Sequence, residues 1–187
     1  MSDRKPTVHV VDPDPDLRHA LTCLVEGNGW HAAAYPDADA FLARVPPPHP
    51  GCLLAELHLP GRNGLALQAA LLDQEFPLPL VFLSGRPNIR DAVAAVRQGA
   101  AEVLEKPVDE TELVAALDQA IADSADAIER TTLRSLLSGR EREIEALMRE
   151  RMLNKEIAFG LGISEKTVEF HKRNIRRKAQ EAGLTLV

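Results

Sequence analysis

Four polar side chains of different chemistry stand at the ends of four short apolar runs in the first half of the chain. They are two carboxylates, a hydroxyl and an amine: Asp12, Glu56, Ser84 and Lys106. His58 follows closely after the second carboxylate. Each of them alone could be an ordinary polar residue of the surface. Together, drawn from four separate loops, they predict a functional site, and we call these four residues the strand-end cluster.

Five apolar or β-branched runs are expected to form strands, with helix-forming segments between them. The predicted strands are Thr7–Val11, Trp30–Tyr35, Cys52–Leu57, Leu80–Leu83 and Glu102–Leu104. Strands that alternate with helices predict an α/β fold, a five-stranded doubly wound parallel sheet with helices on both faces. In such sheets functional groups collect beyond the carboxyl ends of the strands, where the strand-end cluster is expected to lie.

The stretch from Asn154 to Lys178 has the pattern of a helix-turn-helix. A first short helix is expected over Asn154–Leu161, and Gly160 and Gly162 bracket the break, because glycine supplies the permissive backbone that a tight turn needs. Ser164 then stands at the N-cap position of a second helix. The second half of the chain is therefore expected to be an all-α domain.

One face of this second helix is mostly basic, yet it carries an aromatic side chain. Arg173 can pair with guanine, Glu169 can accept a hydrogen bond from cytosine N4, and Phe170 can touch a thymine methyl group. We predict that these three residues, the reading set, contact the bases of DNA. Six residues are better placed for the phosphate backbone, namely Lys155, Lys166, Thr167, Lys172, Arg176 and Arg177.

The charge of the chain is unevenly distributed. The formal net charge is −6, which by itself argues against a protein that binds nucleic acid. Residues 138–187, however, hold 11 Lys and Arg against 8 Asp and Glu, whereas residues 1–137 hold 11 against 20. Because a phosphate backbone responds to the local field, this asymmetry favours DNA binding by the second half of the chain.

The segment from Ser138 to Lys178 resembles the DNA-binding domain of the LuxR/NarL/FixJ superfamily. The motifs that carry the resemblance are R-E-R-E before an apolar-periodic helix, N-K-E-I-A, L-G-I-S-x-x-T-V and H-x-x-x-I-x-x-K. The resemblance implies double-stranded DNA as a partner. The family usually ends with a fourth helix that dimerises on DNA, whereas this sequence stops at Val187. We therefore expect a homodimer formed through the first domain or the connecting helix.

Residues 6–122 resemble the receiver domain of a response regulator, on the motifs V-V-D, L-P-G-x-N-G-L, L-S-G and E-K-P. In receivers, a pair of acids after the first strand holds Mg²⁺ and an aspartate after the third strand accepts a phosphoryl group. A hydroxyl and a lysine then hold the phosphoryl oxygens. The resemblance assigns the first acid to Asp12, the hydroxyl to Ser84 and the lysine to Lys106. It also implies a cis bond between Lys106 and Pro107.

Three positions depart from the receiver pattern. Glu56 stands at the phosphoacceptor position, Pro13 at the second acid position, and Val103 where a Tyr or Phe switch residue is usual. The extra methylene of Glu moves its carboxylate about 1.5 Å further out. Phosphoryl transfer depends on in-line placement of the nucleophile and on neutralisation by a metal. We therefore expect no ordinary phosphorylation, no metal site and no cofactor.

The role of Glu56 remains open between two interpretations. In the first, its carboxylate reaches Lys106 and Ser84, stands in for an aspartyl-phosphate and holds the domain in its active shape. In the second, Glu56 is a tolerated polar residue in an inactive pocket, and the domain serves only for dimerisation or docking. Control by an unknown ligand, by redox chemistry at Cys23 or Cys52, or by phosphorylation elsewhere are further alternatives.

Three segments follow from these patterns. They are a receiver-like domain over residues 1–122, a helical linker over 123–137 and a LuxR-type helix-turn-helix domain over 138–187. No glycine or proline interrupts Glu110–Ser138, so a flexible connection is not indicated.

The sequence thus predicts a transcription regulator that binds specific DNA sequences, acts independently of phosphorylation and is not an enzyme. The alternative is a docking protein that regulates a histidine kinase or another regulator by protein contact. Cys23 and Cys52 match no metal or disulfide framework and are expected to be reduced thiols of a cytoplasmic protein. No apolar run is long enough to span a bilayer, so no membrane partner is expected.

Overall fold

A computed structural model describes residues 5–44, 49–73, 78–85 and 89–184 of the chain. The chain forms two compact units that divide between Ile128 and Glu129. The sequence also predicts a proline-rich loop over residues 46–51, a helix that ends at about Glu75 and another that begins at Asn88. Residues 46–48 of this loop, the two helix bounds and the final residues Thr185–Val187 lie outside the described residues.

The first unit is built on a five-stranded parallel sheet. Its strands are β1 (Thr7–Val11), β2 (His31–Tyr35), β3 (Gly51–Glu56), β4 (Leu80–Ser84) and β5 (Glu102–Glu105). Their order across the sheet is β2-β1-β3-β4-β5, and every neighbouring pair is parallel. The predicted α/β fold is confirmed, and each predicted strand is present within two residues of its expected bounds.

Helices cover both faces of this sheet. They are α1 (Pro15–Gly27), α2 (Ala38–Leu42), α3 (Gly64–Asp73), α4 (Ile89–Arg97) and the first part of α5 (Glu110–Leu136). Two separate apolar cores result, because alternate residues of a strand point to opposite faces. On β4, Phe82 packs into one core while Val81 and Leu83 pack into the other. This strand is buried along its whole length, as its continuous apolar run predicts.

Helix α5 contributes to both units. Leu113 and Leu117 near its start pack under the sheet. Ser124 is fully buried, and its hydroxyl accepts a hydrogen bond of 3.3 Å from the backbone N–H of Gly51. This bond explains a buried polar residue on a helix whose other buried residues in this unit are apolar. Further along the helix, Leu133 is buried in the core of the second unit.

The second unit adds three helices, α6 (Gly139–Arg149), α7 (Asn154–Leu161) and α8 (Glu165–Glu181). Its core combines Leu133 and Leu137 with residues of all three helices, including Ile144, Ile157 and Ile175. The bounds of α7 agree with the prediction from the sequence. Helix α8 extends three residues beyond the predicted end at Lys178.

The turn between α7 and α8 has the predicted chemistry. Gly162 has a φ of 62°, a left-handed conformation in which a side chain would be strained. Ser164 caps α8, and its hydroxyl accepts a hydrogen bond of 3.1 Å from the backbone N–H of Thr167. The two helices are therefore joined as a helix-turn-helix.

Candidate functional site

The parallel register brings the strand-end cluster together at one edge of the sheet. Val11 of β1 pairs with Ala55 of β3, so Asp12 and Glu56 follow at the same level. Ser84 of β4 pairs with Glu105 of β5, which places Lys106 immediately beyond the sheet. The backbone N–H of Lys106 donates a hydrogen bond of 2.9 Å to the carbonyl oxygen of Ser84. The predicted cis bond between Lys106 and Pro107 is present.

The Lys106 ammonium lies between the two carboxylates of the cluster. Its Nζ is 2.8 Å from Oδ2 of Asp12 and 2.6 Å from Oε2 of Glu56. Asp12 is only 2% exposed and the side chain of Glu56 only 11%. The three groups therefore form a compact ionic network in a poorly solvated place, where ion pairs are screened little.

The remaining carboxylate oxygens of the network accept backbone hydrogen bonds. Oδ1 of Asp12 accepts from the N–H of Asp14 at 2.9 Å, and Oε1 of Glu56 accepts from the N–H of His58 at 2.9 Å. The guanidinium of Arg18 donates to the carbonyl oxygen of Asp12 at 2.6 Å. Each of the four carboxylate oxygens of Asp12 and Glu56 thus accepts a hydrogen bond. Arg18 was not predicted from the sequence as a neighbour of the cluster.

This arrangement does not fit the Mg²⁺ site of a receiver. A hard divalent cation binds several free oxygen ligands. Here both carboxylates are turned to an ammonium and to backbone N–H groups, and Pro13 offers no side-chain ligand. Among the residues that the structure describes, no group of three or more His, Cys, Asp or Glu side chains is placed to hold a metal ion.

The electrostatics of the network keep Lys106 protonated. Partial burial lowers the pKa of its amine, but the hydrogen bonds and charges of Asp12 and Glu56 outweigh burial and raise this pKa above its ordinary value. Nearby, His58 lies 4.0 Å from Asp91 of α4, and both side chains are partly exposed. Val103, at the position of the usual switch aromatic, is half-buried on β5.

The reading set lies on the exposed side of α8. Glu169, Phe170 and Arg173 are all exposed, and more than half of the surface of Phe170 (55%) is open to solvent. The opposite side of the helix is buried through Val168, Ile175 and Ala179. An exposed aromatic on a helix anchored in this way is available to a partner surface.

The six residues predicted to contact phosphate differ in their surroundings. Lys155, Lys166 and Arg176 are exposed, and no ion pair within the described part of the chain involves them. Arg177 instead pairs with Glu181 one turn later, at 2.9 Å. The hydroxyl of Thr167 is 2.8 Å from that of Ser164. Lys172 is half-buried and donates to Oδ1 of Asn154 at 2.8 Å.

A second aromatic side chain of this unit escaped the sequence analysis. Phe159 of α7 is 92% exposed. Its position follows from the helical period, because Ile157, Ala158 and Leu161 all turn towards the core and leave Phe159 on the opposite side. The signal was present in the sequence, because position 159 falls outside the helical face that these three apolar residues form.

A five-stranded receiver-type sheet with a separate helix-turn-helix unit defines the class of the response regulators with a DNA-binding output domain. Residues 8–118 match the family model of the response regulator receiver domain, and residues 135–184 match that of the bacterial regulatory proteins of the luxR family. The chain therefore belongs to the response regulators with a luxR-family DNA-binding domain, which are transcription regulators.

Relatives of the same organisation are similar over nearly the whole chain. The transcriptional regulatory protein FixJ of Rhizobium meliloti is 32% identical, over 95% of this chain and 91% of its own. The response regulator protein TodT of Pseudomonas putida is 33% identical, over 98% of this chain and 84% of its own. The solved structure of the response regulator StyR has a TM-score of 0.65 and 34% identity, and covers 94% of this chain and 92% of that one.

None of the described helices is both long and apolar enough to cross a membrane. Both cysteines are free thiols, with Cys52 buried and Cys23 exposed. Burial raises the pKa of the Cys52 thiol to about 12, so this group is an unreactive part of the core.

Proposed function

We propose that this protein regulates transcription by binding specific DNA sequences, and that Glu56 makes its activity independent of phosphorylation. The observation that carries the proposal is the contact of 2.6 Å between Glu56 Oε2 and Lys106 Nζ. In the receiver pattern, this lysine holds an oxygen of the phosphorylated acceptor. Here the carboxylate of Glu56 is already paired with the Lys106 ammonium. We infer that the longer Glu side chain spans the gap that a phosphoryl group would fill.

The same contact supports the absence of phosphoryl transfer. A nucleophile must reach the phosphorus in line and with its charge compensated by a metal. Both oxygens of Glu56 are held, one by Lys106 and one by the N–H of His58. A phosphodonor would have to break both contacts, and it would meet no second acid that could hold the metal at position 13.

The proposal is tested with untreated full-length protein and a small phosphodonor such as acetyl phosphate. We expect unchanged intact mass, and affinity for DNA selected from random sequence within about twofold of that of the untreated protein. A phosphoryl adduct that disappears in the Glu56→Ala variant, together with tighter DNA binding, would overturn the proposal. The Ser84→Ala variant is the matched control, because it alters the cluster without removing the carboxylate.

The DNA affinity of a fragment that lacks the first unit distinguishes an active receiver from an inhibitory one. We compare full-length protein with residues 129–187, because Leu133 and Leu137 belong to the core of the second unit and a fragment from 138 would lack both. If the full-length chain binds at least as tightly as the fragment, the first unit is permissive or helps by dimerising. Much tighter binding by the fragment alone would contradict Glu56 as a fixed active state.

Base reading by α8 predicts two distinct phenotypes. Arg173→Ala is expected to relax sequence choice at one base pair, at a cost of about 1–3 kcal/mol on the preferred site. Lys172→Ala is expected to weaken all sequences about equally, because a phosphate contact carries no base information. The measurement is the affinity of each variant for the selected sequence and for its single-base variants. Uniform weakening by both substitutions would show that this division of roles is wrong.

A docking function through the first unit is the second candidate, and one surface favours it. Ile89, Val93 and Val96 recur at helical spacing on α4 and are 81%, 43% and 56% exposed. A contiguous apolar stripe of this kind is typical of a protein contact surface, for a second copy of the chain, a histidine kinase or another regulator. DNA binding by full-length protein separates the candidates, because the docking function does not require it.

A further inference from the structure

Three cations of α8 are held by side-chain partners of two kinds. Lys178 lies 2.7 Å from the carboxylate of Glu141, and Arg177 lies 2.9 Å from that of Glu181. Lys172 is held differently, by the side-chain amide oxygen of Asn154 at 2.8 Å. No described carboxylate lies within 4.0 Å of the Lys172 ammonium.

The kind of partner decides how much charge remains for a ligand. A carboxylate fixes a lysine and also cancels its charge, whereas an amide oxygen fixes the lysine and leaves the charge uncompensated. The lysine stem is half-buried, so part of its rotamer freedom is already lost before any ligand arrives. Lys172 is thus an ordered cation whose charge is not compensated by its partner, whereas the charge of the ordered Lys178 is compensated by the carboxylate of Glu141.

The bond also has a defined place in the helix-turn-helix. Asn154 is the first residue of α7, and Lys172 lies 18 residues later on α8. The bond therefore joins the two helices at the amino-terminal end of the first, and the exposed Lys155 follows Asn154 directly. In helix-turn-helix proteins the first helix crosses the DNA backbone while the second lies in the groove, and helix N-termini are among the groups that contact phosphate. We therefore expect this end of α7 to meet a phosphate.

We propose that Asn154 is a positioning residue for DNA binding, whose amide oxygen holds the uncompensated Lys172 ammonium between α7 and α8 for a phosphate of the DNA backbone. This inference rests on the proposed function and deepens it. It separates the predicted phosphate contacts into an ordered one at Lys172, exposed ones at Lys155, Lys166 and Arg176, and a partly neutralised one at Arg177.

The test measures the affinity of full-length variants for a random-sequence duplex over a range of salt concentrations. Lys172→Ala is expected to reduce the slope of log affinity against log salt by about one. Asn154→Ala is expected to weaken binding by about three- to tenfold at fixed salt, and to add little in the Lys172→Ala background. Asn28→Ala is the matched control, because it removes an exposed amide from the other unit.

Asn154→Asp separates positioning from mere structural support. A carboxylate keeps the hydrogen bond and suits the helix terminus, so the melting temperature should not fall. It cancels the charge of Lys172, so we expect the salt slope to fall by about one and affinity to fall about tenfold. Most of this loss should vanish in the Lys172→Ala background, which distinguishes it from direct repulsion of DNA.

Three results would overturn the inference, and a fourth would overturn the proposed function on which it rests. Wild-type affinity in Asn154→Asp would show that the neutral partner is irrelevant, and losses that multiply in the double variants would show that Asn154 does not act through Lys172. A wild-type protein without salt-dependent DNA binding would overturn the proposed function itself. Loss of binding with a matching loss of thermal stability would reveal a structural role only.

Discussion

Replacing Lys106 with methionine is expected to lower the free energy of unfolding of the first unit by about 2–4 kcal/mol. Methionine retains most of the volume, so packing changes little. The loss arises because Asp12 and Glu56, both largely buried, would then face each other without a compensating charge. This substitution has the largest effect expected in the strand-end cluster.

The measurement is urea-induced unfolding followed by the fluorescence of Trp30, the one tryptophan of the chain, which belongs to the first unit. Adding Glu56→Gln to Lys106→Met should recover part of the loss, because it removes one of the two unpaired carboxylates. Lys5→Met is the matched control, since Lys5 belongs to the same unit and is exposed, so its loss should change stability by less than about 0.5 kcal/mol. Equal effects of the two lysine substitutions would show that the network does not stabilise the unit.

The pH dependence of this contribution follows from the direction of the Lys106 shift. Its pKa is raised above the ordinary value of 10.5, so the folded state holds this proton more tightly than the unfolded state. The stabilisation is therefore complete below the unfolded pKa and is lost only as the pH rises through the higher folded value. As the pH rises from neutrality, the difference in stability between wild type and Lys106→Met should decrease only when the solution becomes strongly alkaline.

Leu133→Ala is expected to destabilise the second unit by about 2–5 kcal/mol. Leu133 is 3% exposed and packs with residues of the helix-turn-helix, although it lies on α5 before the recognised DNA-binding motif. Leu136→Ala is a closely matched control, because Leu136 lies on the same helix and is 44% exposed. The control should change stability by less than about 0.5 kcal/mol.

Two optical signals make this prediction specific to one unit. Far-ultraviolet circular dichroism reports helices of both units, whereas Trp30 reports the first unit alone. Leu133→Ala should shift the dichroism transition and leave the Trp30 transition in place. A joint shift of both signals would mean that the two units unfold together, and an unchanged dichroism transition would contradict the core role of Leu133.

Local patterns predicted the elements of the chain well. Apolar runs located β1 and β4. The glycine and serine of the turn located the boundary between α7 and α8. These features depend on neighbours within about one helical turn, which is why sequence spacing suffices to find them.

The residues of the strand-end cluster could also be predicted from the sequence, but the contacts between their side chains could not. The alternation of strands and helices places Asp12, Glu56 and Lys106 at one edge of the sheet. Only the register of four strand pairs decides that the ammonium reaches both carboxylates, while backbone N–H groups take the other oxygens. These distances join residues up to 94 positions apart, which no local period encodes.

The extent of the DNA-binding unit and the state of its lysines likewise come from the tertiary structure. The motif predicts a domain over residues 138–187, which remains a proposal, and the structure adds Leu133 and Leu137 to its core. The residue types alone identify Lys172 as basic. Packing of α7 against α8 decides that an amide holds it and that carboxylates hold Arg177 and Lys178, because charge compensation depends on which oxygen lies within reach.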